Sequence, residues 1–238
     1  MSKSRGTQVA PDELVAIHGA DALRLHLMYL GPWDQGGPWN SRGITGLERF
    51  LRRVHALVLE TVEVKDLTQT KVDPEIEREL QRLTHSTIAR TSKDISEFQF
   101  NTMVAALIEF SNSLSNLKRD ESILTSEAWR EAIRTLVLLM APSTPYIAEE
   151  LWELLGETYS VHHQPWPESN PELAKSNVIE LIVQLNGKVR DKIEVPASIS
   201  EEEATALALG SPRVADHLNG AAPRKVIYVP GRLVNIVA

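Results

Sequence analysis

The sequence predicts a mainly α protein, an antiparallel helical bundle followed by a small α+β domain. Three observations predict it. Between residues 44 and 156, apolar residues recur at spacings of three and four, the period of helices with one buried face. After residue 177 the pattern changes to β-rich runs around Asn186-Gly187 and Pro230-Gly231, with a helical stretch between them. The two regions are separated by SVHHQPWPESNPELAKSN (160–177), whose prolines and polar residues read as a linker.

The elements follow in order. PDELVAIHGADALRLHLMYL (11–30) opens on Pro and two acids, a helix N-terminus, and Gly19-Ala20-Asp21 splits it into two short helices. GPWDQGGPWNSRG (31–43) is a loop by its glycines and prolines, and its two tryptophans predict that it folds onto something. In ITGLERFLRRVHALVLETV the residues Leu47, Phe50, Leu51, Val54, Leu57 and Val58 form one apolar face. Asp73-Pro74 with following acids caps the next helix. SEFQFNTMVAALIEFSNSLSNL, SEAWREAIRTLVLLMAP and PYIAEELWELLG complete the bundle, the last closed by Gly156. In the tail, VIELIVQL and KVRDKIEV flank Asn186-Gly187, a strong hairpin signal; SEEEATALALGSPRVADHLNG is helical and broken near Gly210. The expected divisions are 1–43, 44–159, 160–177 and 178–238.

At 238 residues the chain can bury a sizeable core, and its 42% apolar and 24% charged content is that of a globular protein. The absence of cysteine excludes disulfides and thiolate metal sites, and a reducing cytoplasm is the default compartment. No apolar run approaches the roughly 20 residues that span a bilayer, so no membrane role is expected. The net charge of −7 excludes nucleic-acid binding by bulk electrostatics. The acidity is confined to the middle: residues 1–60 sum to +1, residues 61–177 to −8 and residues 178–238 to 0. A polyanion would be met by the ends of the chain or by a local basic stripe.

Self-contained active sites are missing. There is no His-Glu-x-x-His, Gly-x-Ser-x-Gly, phosphate-cradling Gly-rich loop or dinucleotide fingerprint. The adjacent His162-His163 reads as a solvated or stacked loop pair, and Glu149-Glu150 and Glu201-Glu202-Glu203 as helix-surface charge. No metal site is expected. What remains is MSKSRG at the start: two hydroxyls, an ammonium and a guanidinium beside a glycine. Such groups can grip a phosphate, and equally form a solvated terminus.

The continuation bears on that choice. Met1-Ser2-Lys3-Ser4, then Val9, Pro11, Leu14-Val15, His18-Gly19-Ala20-Asp21 and Arg24-Leu25 resemble the stretch of class I aminoacyl-tRNA synthetases that begins in their Lys-Met-Ser-Lys-Ser loop. Gly-Pro-Trp-Asp-Gln-Gly at 31–36 resembles the leucine-specific branch, as do FNTMVAALIEFSNSL (100–114) and APSTPYIAEELWELLG (141–156) in its anticodon-binding bundle. VQLNGKVRDKI (183–193) and RKVIYVPGRLVNIV (224–237) resemble the C-terminal domain of the bacterial type of that branch. The signature's first lysine has no counterpart before Met1, and the Rossmann half, leucine pocket and editing domain of the family have none either. The chain thus resembles the C-terminal quarter or so of such an enzyme, from an incomplete gene or a split enzyme, and is expected to be inactive alone.

The resemblance implies ATP-dependent attachment of leucine to its tRNA, with Mg2+ expected in the complete enzyme. Met1, Ser2, Lys3 and Ser4 would hold ATP, and Lys3 would act catalytically by meeting charge on the leaving pyrophosphate. Partners would be tRNA-Leu and an N-terminal catalytic half, with Trp33 and Trp39 at the contact to that half. The bundle and tail would bind tRNA. Arg42, Arg49, Arg52 and Arg53 cluster at the first long helix, where the i, i+3, i+4 spacing can put three guanidiniums on one face; surface solubility is the other reading. Strand alternation is expected to place Lys188, Arg190 and Lys192 on one face, with Arg224 and Lys225 opening the last strand pair; an outward solvated face is the alternative. The competing class is a non-catalytic helical module that binds tRNA or protein.

Overall fold

The computed structural model describes residues 10–37, 39–40, 42–64, 72–175, 178–196, 199–218 and 223–237. The chain divides into two compact units, Met1–Ala174 and Lys175–Ala238. Among the described residues, no helix is long and apolar enough to cross a membrane.

Among the described residues, the first unit contains seven α-helices: α1 (Pro11–His18), α2 (Ala20–Tyr29), α3 (Arg42–Glu63), α4 (Pro74–Ser96), α5 (Phe100–Leu117), α6 (Glu127–Met140) and α7 (Pro145–Leu154). Their ends are set by local chemistry. The Asp73 carboxylate accepts from the Glu75 amide and the Ser126 hydroxyl from the Trp129 amide, while Pro74 and Pro145 occupy first-turn positions that need no amide donor. Gly156 stops the chain after α7 at φ +76°, and its amide bonds Glu153 while that of Glu157 bonds Trp152, a paired C-terminal cap. The core takes Phe50, Val54 and Leu57 from α3, Leu80 and Ile88 from α4, Leu107 and Phe110 from α5, Trp129 and Ile133 from α6, and Leu151 from α7. Trp129 is fully buried, and its indole N–H donates to Thr61 Oγ1 at 2.9 Å, so the polar atom that burial would strand is satisfied. In contrast, α1 contributes no buried residue.

The stretch expected as a linker is laid largely onto the bundle. Val161 enters the core, and the Glu149 carboxylate accepts from Ser160 Oγ at 2.5 Å and the Val161 amide at 3.2 Å. Trp166 Nε1 donates to Ser92 Oγ, and Ser169 and Asn170 bond the carbonyl and Nδ1 of His85. The composition of 160–174 resembles a tether because these bonds are tertiary and leave no periodicity in the sequence.

Among the described residues, the second unit is a four-stranded sheet with two helices: β1 (Val178–Leu185), β2 (Lys188–Pro196), α8 (Glu201–Gly210), α9 (Pro212–Leu218), β3 (Lys225–Val229) and β4 (Leu233–Val237). The strand order is β2-β1-β4-β3, parallel between β1 and β4 and antiparallel elsewhere. Asn186 and Gly187 take φ of 49° and 76°, the left-handed pair a two-residue hairpin turn requires. Leu181, Val183, Leu185, Val195, Val234 and Ile236 meet Ala204, Ala208 and Val214 of the helices in a small separate core.

Candidate nucleic-acid interface

The segment His18-Gly19-Ala20-Asp21-Ala22-Leu23-Arg24 ties the front of the chain to the bundle. Gly19 at φ +82° turns α1 into α2, a conformation that disfavours any side chain. His18 Nδ1 lies 2.7 Å from Glu48 Oε1 on α3. Asp21 Oδ2 accepts from the Ile147 amide at 2.7 Å, in the first turn of α7. Arg24 donates through Nε to Ser143 O at 3.1 Å and through Nη2 to Pro142 O at 2.9 Å, just beyond α6. Burial pushes the Asp21 carboxyl up, and the amides of Ile147 and Tyr146 and the Arg24 charge pull it back. Burial also lowers His26, whose ring packs edge-on to Trp39 and closely over Gly43, where a Cβ would approach within 2.9 Å.

Arg49 and Arg52 lie on an exposed strip of α3 with Thr45 and Ala56, and neither is paired among the described residues. Arg53 departs from the expected three-guanidinium face: its Nη1 turns inward to Ser111 Oγ at 3.1 Å and serves α3–α5 packing. A spacing of four places Arg53 beside Arg49, but the i+4 residue falls nearer the buried seam. The remaining pair can meet a phosphate backbone with planar, fork-shaped donors. Met1, Ser2, Lys3 and Ser4 lie outside the described residues, as does the side chain of Arg42.

The two tryptophans separate. Trp39 packs against the bundle core and the His26 ring, whereas Trp33 is 63% exposed and stacks edge-on to Phe100, which in turn meets Phe98. Of the two, only Trp33 therefore faces outward; Ile17 of α1 and Leu27 of α2 are also exposed. His162 and His163 form a short 3-10 turn, with His163 edge-on to Tyr159.

In the second unit the expected single basic face is broken. Val183 pairs with Asp191 and Gln184 with Val189, so Arg190 is an extra residue, a β-bulge. Lys188 then pairs with Leu185 on the helix-bearing face, and Lys192 pairs with Ile182 on the opposite one. The phase change accompanies the bonds of Asp191 to Ser211 Oγ at 2.6 Å and Arg213 Nη1 at 2.8 Å. The Ser211 hydroxyl first, then the Lys192 amide and Arg213, hold the Asp191 carboxyl below its ordinary range. Lys188 is exposed, Lys192 is paired with Glu180 at 2.8 Å, and Arg190 is half-buried with its Nε unpartnered. Arg224 and Lys225 are exposed at the start of β3.

The chemistry these residues offer is anion contact by fixed cations on a rigid frame. Among the described residues, no group of three or more His, Asp or Glu is arranged to hold a metal. Sequence reading missed the structural roles of Asp21 and Arg24; the only signal was an acid and a base one helical turn apart after a glycine. It also missed Arg130 and Arg134, which with Thr61 and Glu157 line a cleft of about 270 Å³ beside the end of α3. Arg134 is taken by Glu157, leaving Arg130 outward.

The chain is similar to known proteins throughout. Residues 77–205 match the family model described as the anticodon-binding domain of tRNA ligase. A leucine–tRNA ligase of Dehalococcoides mccartyi (strain ATCC BAA-2266 / KCTC 15142 / 195) is 51% identical over 237 residues, covering 100% of this chain and 28% of the relative. That of Rubrobacter xylanophilus is 47% identical with the same coverage. The crystal structure of the ternary complex of Agrobacterium radiobacter K84 agnB2 LeuRS with tRNA and LeuAMS matches with a TM-score of 0.80 and 30% identity, covering 100% of this chain and 31% of that one. The chain thus spans about 28% of the length of the relatives it matches.

Proposed function

Because the chain belongs to the family of anticodon-binding domains of tRNA ligases, we propose that it supplies the tRNA-binding domains and the ATP loop of a cytoplasmic enzyme that attaches leucine to tRNA-Leu. The observation that carries this reading is the 51% identity to a leucine–tRNA ligase across the whole chain rather than across the bundle alone. Catalysis would require a partner portion with the nucleotide and leucine pockets, in the same polypeptide or a separate subunit. ATP would enter with Mg2+ as substrate.

The reaction has two stages. Leucine's carboxylate attacks the α-phosphorus of ATP and pyrophosphate leaves; the leucyl group then passes to the terminal adenosine of the tRNA. Negative charge grows on the pyrophosphate in the first transition state. An ammonium that meets this charge as it grows lowers the barrier more than it strengthens ATP binding. Lys3 takes that role, with Met1, Ser2 and Ser4 completing the loop around the phosphates. Arg42, Arg49 and Arg52 contact the tRNA backbone from α3, and Arg53 holds the helix in place. Lys188, Arg190, Lys192, Arg224 and Lys225 give the small domain its RNA contacts, Lys188 more than the ion-paired Lys192. Such contacts position the tRNA and do not read its bases.

The test is Lys3→Ala in the ligase that contains this chain. Leucine-dependent ATP–pyrophosphate exchange should slow by about 2–4 kcal/mol of barrier, with tRNA-Leu affinity unchanged. Equal losses in both assays would remove Lys3 from the chemistry.

A further inference from the structure

We propose that the β-bulge in β2 aims Arg190 at a phosphodiester of the bound RNA, and that Asp191 and Ser211 are the positioning residues that hold the bulge. The inference rests on the ligase reading above and concerns the small domain alone. In the ladder, Val183 pairs with Asp191 and Gln184 with Val189, so Arg190 has no cross-strand partner. A residue added to one strand breaks the alternation, bends the strand and redirects a side chain. The break is pinned from outside the sheet. Asp191 Oδ2 accepts from Ser211 Oγ at 2.6 Å, and its Oδ1 accepts from Arg213 Nη1 at 2.8 Å and from the Lys192 amide at 2.9 Å. Ser211 immediately precedes α9 and is 5% exposed, so the lock ties β2 to a buried point of the helical layer.

Stability alone does not account for this arrangement. The bulge forfeits ladder pairing that a regular strand would make, and it leaves a cation without an acceptor. Arg190 is half-buried, and none of its side-chain donors is bonded among the described residues. Its Nε is shielded from solvent, whereas the two Nη groups stay open to it, so the guanidinium is held by the packing of its stem. The acids of the β1–β2 pair do not relieve it. Asp191 is turned to Ser211 and Arg213, Glu180 is bonded by Lys192 at 2.8 Å, and Glu194 lies opposite Glu180, away from the bulge. A charged donor taken partly out of water is costly until an acceptor meets it. The acceptor that fits is an external oxyanion, because the paired Nη groups form a planar fork that matches two phosphate oxygens. A fork held in place before binding also loses less freedom than a free side chain such as exposed Lys188.

The experiment follows tRNA-Leu binding to the chain from about 50 to about 200 mM salt. Arg190→Ala should weaken binding about 10- to 100-fold, the scale of a lost charged hydrogen-bonding group, and lower the log–log salt slope by about one. The deciding variants are Asp191→Ala and Ser211→Ala. Charge alone predicts that removing the Asp191 carboxylate tightens RNA binding. The positioning role predicts the opposite, a weaker complex whose slope falls toward that of Arg190→Ala. Ser211→Ala, which changes no charge, should weaken binding in the same way. Asp191→Asn, which keeps an acceptor for Ser211, should recover most of the affinity. Glu194→Gln, which removes an exposed acid of the same strand, is the control and should bind no more weakly than the unsubstituted chain. Tighter binding by Asp191→Ala, an unchanged slope in Arg190→Ala, or a loss in Glu194→Gln equal to that in Asp191→Ala overturns the inference. Should hydrogen exchange show the tail of Asp191→Ala unfolded, Ser211→Ala decides: weaker binding at a reduced slope supports the inference, and unchanged binding refutes it. An unsubstituted chain whose tRNA-Leu binding ignores salt would instead refute the function proposed above.

Discussion

In the bundle, single side-chain bonds join residues far apart in the chain: Asp21 to Ile147, Arg24 to Ser143, Trp129 to Thr61 and Arg53 to Ser111. In the small domain the comparable bonds span less of the chain: Gly187 to Asn235 Oδ1, Tyr228 to Ile199, Asp191 to Ser211 and Arg213, and the Ser200–Glu203 cap. The cores differ in the same direction. Among the described residues, thirty buried apolar side chains form the bundle cluster, with Trp129 and two phenylalanines at its centre, against nine small and aliphatic ones in the tail. With about 1.5–3 kcal/mol from each fully buried large apolar side chain, the bundle has reserve and the tail has little.

The largest effect should come from Trp129→Ala. Emptying the bundle centre should cost about 3–5 kcal/mol, lowering the bundle's melting transition in calorimetry while the tail's stays in place. A joint shift of both transitions would break the comparison. Leu181→Ala, in the tail core, should cost about 2–3 kcal/mol. That smaller loss should unfold the tail at 37 °C and leave near-UV circular dichroism from the bundle tryptophans intact. Acid should separate the units more gently. Asp191 has its folded pKa depressed, so its contribution is complete above its unfolded value near 3.8 and is lost as pH falls through the folded one. Asp21 is shifted the other way, so protonation relieves its burial and stability gains as pH falls through its raised pKa toward 3.8. Below pH 4 the tail should therefore lose protection in hydrogen exchange before the bundle, and Asp191→Asn should flatten the tail's dependence.

Much of this architecture is legible in the sequence. The helices of the bundle follow from the three–four spacing of residues such as Leu47, Phe50, Val54 and Leu57, and the hairpin from Asn186-Gly187. What the sequence hides is tertiary. The bulge at Arg190 goes with bonds from Asp191 to residues 211 and 213, so counting by twos fails to place Lys188 and Lys192 on their separate faces. The seating of 160–174 depends on His85 and Ser92 of α4, with α5, α6 and α7 between them in the chain. Arg53 differs from Arg49 and Arg52 in lying nearer the buried seam, where Ser111 of α5 accepts its bond. Trp33 and Trp39 share the same motif, yet one packs on His26 and the other faces solvent.

We propose that the exposed cations of α3, Arg49 and Arg52, bind leucine tRNA. Equilibrium binding of tRNA-Leu, followed from about 50 to about 200 mM salt, tests it most directly. The unsubstituted chain should lose affinity steeply across that range. Arg49→Glu/Arg52→Glu should reduce the log–log slope by about two, one for each phosphate contact, whereas Lys192→Glu, already ion-paired, should leave it nearly unchanged. Binding that does not respond to salt, or a slope untouched by the double reversal on α3, would contradict the claim.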